Sequence, residues 1–133
     1  MNRVRGYIFS RPFFGERVPQ SIQNLTIRNY CELNNLTYLL SAVEYSMEDS
    51  NIILNGLLSN IDEVDGIVAY SVFQLPFDSN KRENLYREII HNRKIFHFAL
   101  ENLSFSTFDE SKYIEILWKT KIALLESYNP SLD

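Results

Sequence analysis

Four short runs rich in β-branched and aromatic residues alternate with four stretches whose apolar residues recur at helical spacing. No other feature narrows the possible folds as far. The strand-like runs are Val4–Phe9, Leu36–Leu40, Ile67–Tyr70 and Lys94–Ala99. The helical stretches run from Pro19 or Gln20 to Asn34, from Asn51 to about Ile61, from Ser79 to Asn92, and from Thr107 to about Tyr128. Parallel strands need crossover connections, and a helix supplies each one with right-handed chirality. The chain therefore predicts a single three-layer α/β domain over residues 1–133, with a four-stranded, mainly parallel sheet and helices on both faces. The inferred strand order is 2-1-3-4. Winding reverses between strands one and three, so a ligand crevice is expected beyond their carboxyl ends.

Local signals refine this outline. Leu36–Leu40 (LTYLL) is apolar enough to predict a strand buried on both faces, with Ser41–Asp49 as its loop. Ser50 is placed to cap the second helix. Asn80 with Glu83, and Thr107 with Glu110, have capping-box spacing. Glu101–Thr107 reads as a polar connection. The last helix carries two apolar stripes, one of Ile114, Leu117, Trp118, Leu124, Leu125 and Tyr128, the other of Tyr113, Ile116 and Ala123. If one packs on the sheet and the other on a second copy, residues 107–128 form a homodimer or larger assembly. A single wide core-facing stripe is the alternative.

Composition bears on setting and partners. A lone cysteine, Cys31, permits no intrachain disulfide and suits a reducing compartment. No apolar run approaches the roughly 18 residues that span a bilayer, and the amino terminus lacks a secretory pattern. The expectation is a cytoplasmic protein, neither secreted nor membrane-inserted. A net charge of −4 makes nucleic acid an unlikely partner. Charge is uneven, however. Residues 1–28 hold Arg3, Arg5, Arg11, Arg17 and Arg28 against Glu16 alone, a balance of +4 that leaves −8 elsewhere. Arginine forks suit carboxylate or phosphate, so the bias fits a local anion site, with solvated or structural arginines as the alternative.

The polar residues expected at the strand ends form the candidate site. Ser10, near the start of the first helix, has backbone N–H groups and a helix dipole close by that favour an anion, and Arg11 or Arg17 could grip it. Gln20, Gln23, Asn24, Ser41, Ser71 and Gln74 could bind ligand hydroxyls. Glu44 with Tyr45 could move protons, although a carboxylate that caps the second helix is the plainer role. Ser10 and Ser71 lack a histidine base, which favours hydrogen bonding over nucleophilic attack. Only Gly15 is available where a phosphate-binding loop needs several glycines. His91 and His97 read as structural, no metal-ligand spacing occurs, and no cofactor is expected.

The segments RGYIFSRPFFGERVPQSIQN (residues 5–24), NYCELNNLTYLLSAVEYSM (29–47) and DGIVAYSVFQLP (65–76) resemble the sporadic carbohydrate cluster proteins of bacterial surface-polysaccharide gene clusters. That resemblance implies a role in lipopolysaccharide or capsule sugar synthesis and leaves the activity undefined. Joined to the candidate anion site, the setting leads to the expectation of an anionic sugar intermediate (a sugar phosphate or nucleotide sugar) as the small ligand, with a sugar-modifying step as the reaction open to it. Gly6-Tyr7-Ile8-Phe9-Ser10 and Tyr70-Ser71-Val72-Phe73-Gln74-Leu75 are similar to the two strand-end motifs of serine recombinase catalytic domains, with Ser10 at the nucleophile's place. This implies a resolvase-like sheet, with a flavodoxin-like one as the other form open to the same elements. Phe73 and Gln74 stand where that family has aspartate and arginine, and the arginine just before the serine is absent. Nothing would then neutralise the charge that develops when a serine attacks a phosphodiester. A non-catalytic, oligomeric interaction protein on a degenerate recombinase fold is the alternative to sugar binding.

Overall fold

A computed structural model describes residues 2–127. Its order is β1 (Arg3–Phe9), α1 (Gln20–Leu33), β2 (Thr37–Glu44), α2 (Ile52–Ser59), β3 (Gly66–Ala69), α3 (Ser79–His91), β4 (Ile95–Phe98), β5 (Leu103–Phe105) and α4 (Phe108–Ser127). The sheet runs β2-β1-β3-β4-β5, parallel except that β5 is antiparallel to β4. The α/β class, the two-sided layering and the 2-1-3-4 order stand. The fifth strand lies in the stretch expected to be a polar connection. Three residues with alternating burial (Leu103, Ser104, Phe105) are too short a run to register as a periodic signal.

Side-chain alternation along the strands divides the core into two layers. Tyr7, Phe9, Ile67, Ala69, Phe96 and Phe98 face α2, α3 and α4, where Leu54, Leu85, Tyr86, Ile89, Ile114 and Trp118 pack against them. Val4, Ile8 and Val68 face the opposite way, onto Ile27, Tyr30 and Cys31 of α1. Burial pushes the Cys31 thiol up to about 11, as befits an inert core position.

β2 differs from expectation in two ways. It continues through Ser41, Ala42, Val43 and Glu44 instead of ending at Leu40, and it is an edge strand, with Leu40 80% exposed rather than buried. A register shift at Arg5/Gly6 lets β2 approach β1 so closely that the Ser41 hydroxyl occupies the space of a Cβ at residue 6. Gly6 is thus required by contact rather than by its φ.

Helix starts also depart from the simple capping pattern. Asp78, not Asn80, caps α3, accepting the Asn80 N–H at 2.8 Å. Ser50 does not cap α2; the helix start is held by Glu44 instead. At α4 the expected exchange forms: Thr107 accepts the Glu110 N–H, and the Glu110 carboxylate accepts from the Thr107 hydroxyl as well as from the Ser106 N–H and hydroxyl. On α4, Ile114 and Trp118 are buried, whereas Tyr113, Ile116 and Leu124 are exposed. Tyr128 lies outside the described residues. Among the described residues no helix is long and apolar enough to cross a membrane.

Candidate functional site: the carboxyl ends of β1 and β3

β1 and β3 pair from Val4↔Gly66 to Tyr7↔Ala69 and then diverge. Beyond that point two glutamine side chains replace the missing ladder. Gln23 of α1 accepts the Phe9 N–H (2.9 Å) through Oε1 and donates Nε2 to the carbonyls of Phe9 and Val18 (both 2.9 Å). Gln74 accepts the N–H groups of Tyr70 (2.9 Å) and Ser71 (3.3 Å), and its Nε2 donates to Gln23 Oε1 at 2.7 Å. Both amides are buried, with every donor and acceptor class engaged. The switch-point crevice is therefore filled by the chain's own amides.

Glu44 ends β2 beside this pair and is also buried. Its Oε1 accepts from the Tyr7 hydroxyl (2.8 Å) and Leu54 N–H (3.2 Å); Oε2 accepts from Ser50 Oγ (3.1 Å) and the N–H groups of Tyr45 (3.1 Å) and Ile53 (3.2 Å). Burial alone would raise the carboxyl's pKa, but the Tyr7 bond and three backbone N–H groups outweigh it and hold the pKa below the usual carboxylate range. Tyr7 shifts up, first through burial and then through its charged neighbour. Such a carboxylate is a poor proton acceptor near neutral pH. Its geometry is that of a helix cap, the plainer of the two roles open to it from the sequence.

The other candidate residues are likewise bonded within the chain. Ser10 is half-buried and donates to the Glu44 carbonyl at 2.9 Å. Ser71 is buried; it donates to Glu101 Oε2 (2.7 Å) and accepts the Phe73 N–H (3.2 Å), capping a 3-10 turn over Val72–Gln74. Ser41 joins Tyr38 and Asn24 in a small polar cluster over the β1–β2 bulge, with Asn24 Oδ1 accepting from both hydroxyls. Tyr45 is half-exposed. Arg17 and Gln20 are exposed. The polar set expected to converge on one crevice is thus dispersed among structural bonds.

The loops after β1 and β3 do meet across a hollow of about 430 Å³, but through aromatic side chains. Phe13 and Glu16 exchange backbone bonds of 3.0 Å around a two-residue turn, Phe14-Gly15, with φ of 51° and 76°. Positive φ at both central residues is the primed hairpin geometry, and here it carries a phenylalanine. The Phe14 ring reaches Phe73 (5.5 Å between centroids) and Trp118 (6.1 Å), both edge-on. Phe9, Phe13 and Phe77 complete the aromatic lining, and Ser46, Glu48, Asp49 and Asn51 form the side contributed by the β2–α2 connection. Of the residues named from sequence, only Arg11 lines this space. Its guanidinium lies 4.1 Å above the Phe9 ring and donates to the Tyr45 carbonyl at 2.9 Å.

An ion pair between buried Arg82 and partly buried Glu115 fixes the wall supplied by the β3–α3 connection. Arg82 of α3 makes two bonds to Glu115 of α4 (2.9 and 2.8 Å), donates to the carbonyls of Pro76 and Phe77, and stacks 3.6 Å over Trp118. Tyr86 adds a third bond to Glu115. The phenylalanines and Arg82 escaped the sequence reading because aromatic residues and an arginine in these places look like core and surface. Two adjacent phenylalanines in a Pro/Gly-bearing loop, and two more flanking Pro76, were the signal available.

No protein-family model and no curated protein matches the chain. Five solved chains match its backbone, two recombinase structures among them. One is the N-terminal catalytic domain of TP901-1 integrase, 16% identical, with a TM-score of 0.60 over 94% of this chain and 99% of that one. The other is a resolvase family site-specific recombinase from Streptococcus pneumoniae, 8% identical, with a TM-score of 0.62 over 92% and 91%. The fold is resolvase-like. At these identities the likeness extends to architecture alone. The resemblance to sporadic carbohydrate cluster proteins gains no family assignment from these comparisons.

Proposed function

We propose that this chain is a non-catalytic, oligomeric interaction protein on a resolvase-like fold. The observation that carries this reading is the buried Gln23–Gln74 pair, which occupies the switch-point crevice where an open α/β sheet ordinarily admits its ligand. Ser10 adds support: among the described residues no base is bonded to it, and it donates to a backbone carbonyl. Association through α4 fits the exposure of Tyr113, Ile116 and Leu124 on a helix whose other side is packed in the core.

Light scattering tests the assembly. A dimer or larger species is expected at micromolar concentration, with Ile116→Glu shifting it to monomer while the circular dichroism spectrum is unchanged. A wild-type monomer would remove the oligomer. A covalent adduct between Ser10 and DNA, detected by mass spectrometry after incubation with plasmid, would remove the non-catalytic assignment.

Binding of an anionic sugar intermediate is the second reading. It retains Arg11 on the hollow's wall, among aromatic rings able to pack on a sugar. Thermal stabilisation by a nucleotide sugar, lost in Arg11→Ala, would favour it over the first.

A further inference from the structure

We propose that the aromatic hollow receives a basic side chain, arginine or lysine, presented by a partner polypeptide. This deepens the interaction role proposed above and rests on it.

The hollow has two unlike sides. One consists of aromatic rings, among them Phe13, Phe14, Phe73 and Phe77, which suit an aliphatic stem and whose π-faces attract a cation. The other, contributed by the β2–α2 connection, carries Glu48 and Asp49, both exposed and, among the described residues, in no salt bridge. Arg11 is the one cation on the lining. It is already engaged, stacked on Phe9 and bonded to the Tyr45 carbonyl, so the lining keeps a net charge of −1. The same cluster shows its liking for cations within the chain: Lys121 Nζ lies 5.5 Å from the Phe73 ring centre. A group with an apolar stem and a positive end matches both sides, whereas an anion meets a lining of net negative charge whose two carboxylates are in no salt bridge among the described residues.

The surroundings point to a polypeptide rather than a free amine. Phe77 is a lining residue and is itself 63% exposed. Tyr45 and Met47 alternate with the lining residues Ser46 and Glu48 and are 50% and 60% exposed. A small amine would leave this apolar margin in water; a peptide with apolar neighbours around its basic residue would cover it.

The test follows backbone amide signals of 15N-labelled protein titrated with acetyl-Leu-Arg-Leu amide, with the same peptide carrying glutamine or glutamate at its centre, and with spermidine. The arginine peptide is expected to shift Ser46, Glu48, Phe73 and Phe77 and to bind roughly fivefold more tightly than the glutamine peptide. That preference should vanish at about 0.5 M salt and in the Glu48→Gln/Asp49→Asn double variant, whose changes are on exposed side chains. Equal binding of arginine and glutamine peptides, or tighter binding of the glutamate peptide, overturns the charge assignment yet leaves an interaction site in place. Spermidine binding as tightly as the arginine peptide overturns the polypeptide source. No shift at these residues with any peptide overturns the site itself, whereas a Ser10–DNA adduct would strike only the non-catalytic assignment.

Discussion

Replacing Glu44 separates a structural carboxylate from a catalytic one. In Glu44→Ala all five donors aimed at the carboxylate lose their acceptor. Tyr45 and Ile53 lie close enough to the surface for their N–H groups to be rehydrated. Tyr7 and Leu54 are each 1% exposed and cannot be. A buried donor left unpaired costs about 1–3 kcal/mol, so these two alone give about 4 kcal/mol, a large share of the roughly 5–15 kcal/mol that holds a domain together. With an m-value near 2 kcal/mol/M, the urea midpoint should fall by about 2 M in a dichroism-monitored titration. Glu44→Gln keeps the shape but presents an amide N–H₂ to backbone donors, and should fall by about half as much. The pH dependence follows from the direction of the shift. Because the folded pKa is depressed, the stabilisation is complete above the unfolded carboxylate range, near pH 4.3, and is lost as pH falls toward the folded value. The gap between wild type and Glu44→Gln should therefore narrow from pH 7 to pH 3. A Glu44→Gln protein with an unchanged midpoint at pH 7 would refute the capping role and return Glu44 to the list of functional acids.

Arg82→Ala should cost about 3 kcal/mol in chemical denaturation, the low end for a broken buried pair, because Glu115 loses its bidentate partner but is partly exposed and keeps Lys119 at 3.6 Å and the Tyr86 hydroxyl. Glu115→Gln leaves one bond to Arg82 and should cost less, so a larger loss than in Arg82→Ala would contradict the pairing. Gly15→Ala meets no steric neighbour but requires alanine at φ 76°, and a drop in stability of about 1–2 kcal/mol by thermal melting is expected. Gly66→Ala should be worse, since the new Cβ runs into the Ile95 carbonyl across the β3–β4 ladder; an unchanged melting temperature would mean that the two strands can separate cheaply. Asp78→Ala removes the cap of α3 and should cost about 1 kcal/mol.

Architecture was legible because periodicity is a local property. Val4–Phe9 and Ile67–Tyr70 announce buried strands by composition, helix spacing separates them, and crossover chirality then leaves few sheet orders. What periodicity cannot register is a strand of three residues such as β5, or a bulge like that at Gly6, which lets β2 run four residues past its apparent end. The site was far less legible. Polar residues at strand ends look alike in a sequence whether they face a ligand or one another, and Gln23 and Gln74 meet only because residues 51 positions apart are brought to one point by the fold.

The succession of elements, the switch point between the first and third strands and the lack of a recombinase's charged motif at Phe73 and Gln74 were written in the chain itself. Packing alone determined that Glu44 would become a buried cap, that two glutamines would close the crevice, and that phenylalanines would line the hollow beside it. The difference is physical: pattern is set by neighbours along the chain, whereas the partner that satisfies a buried polar group is set by long-range proximity, which no single stretch of sequence specifies.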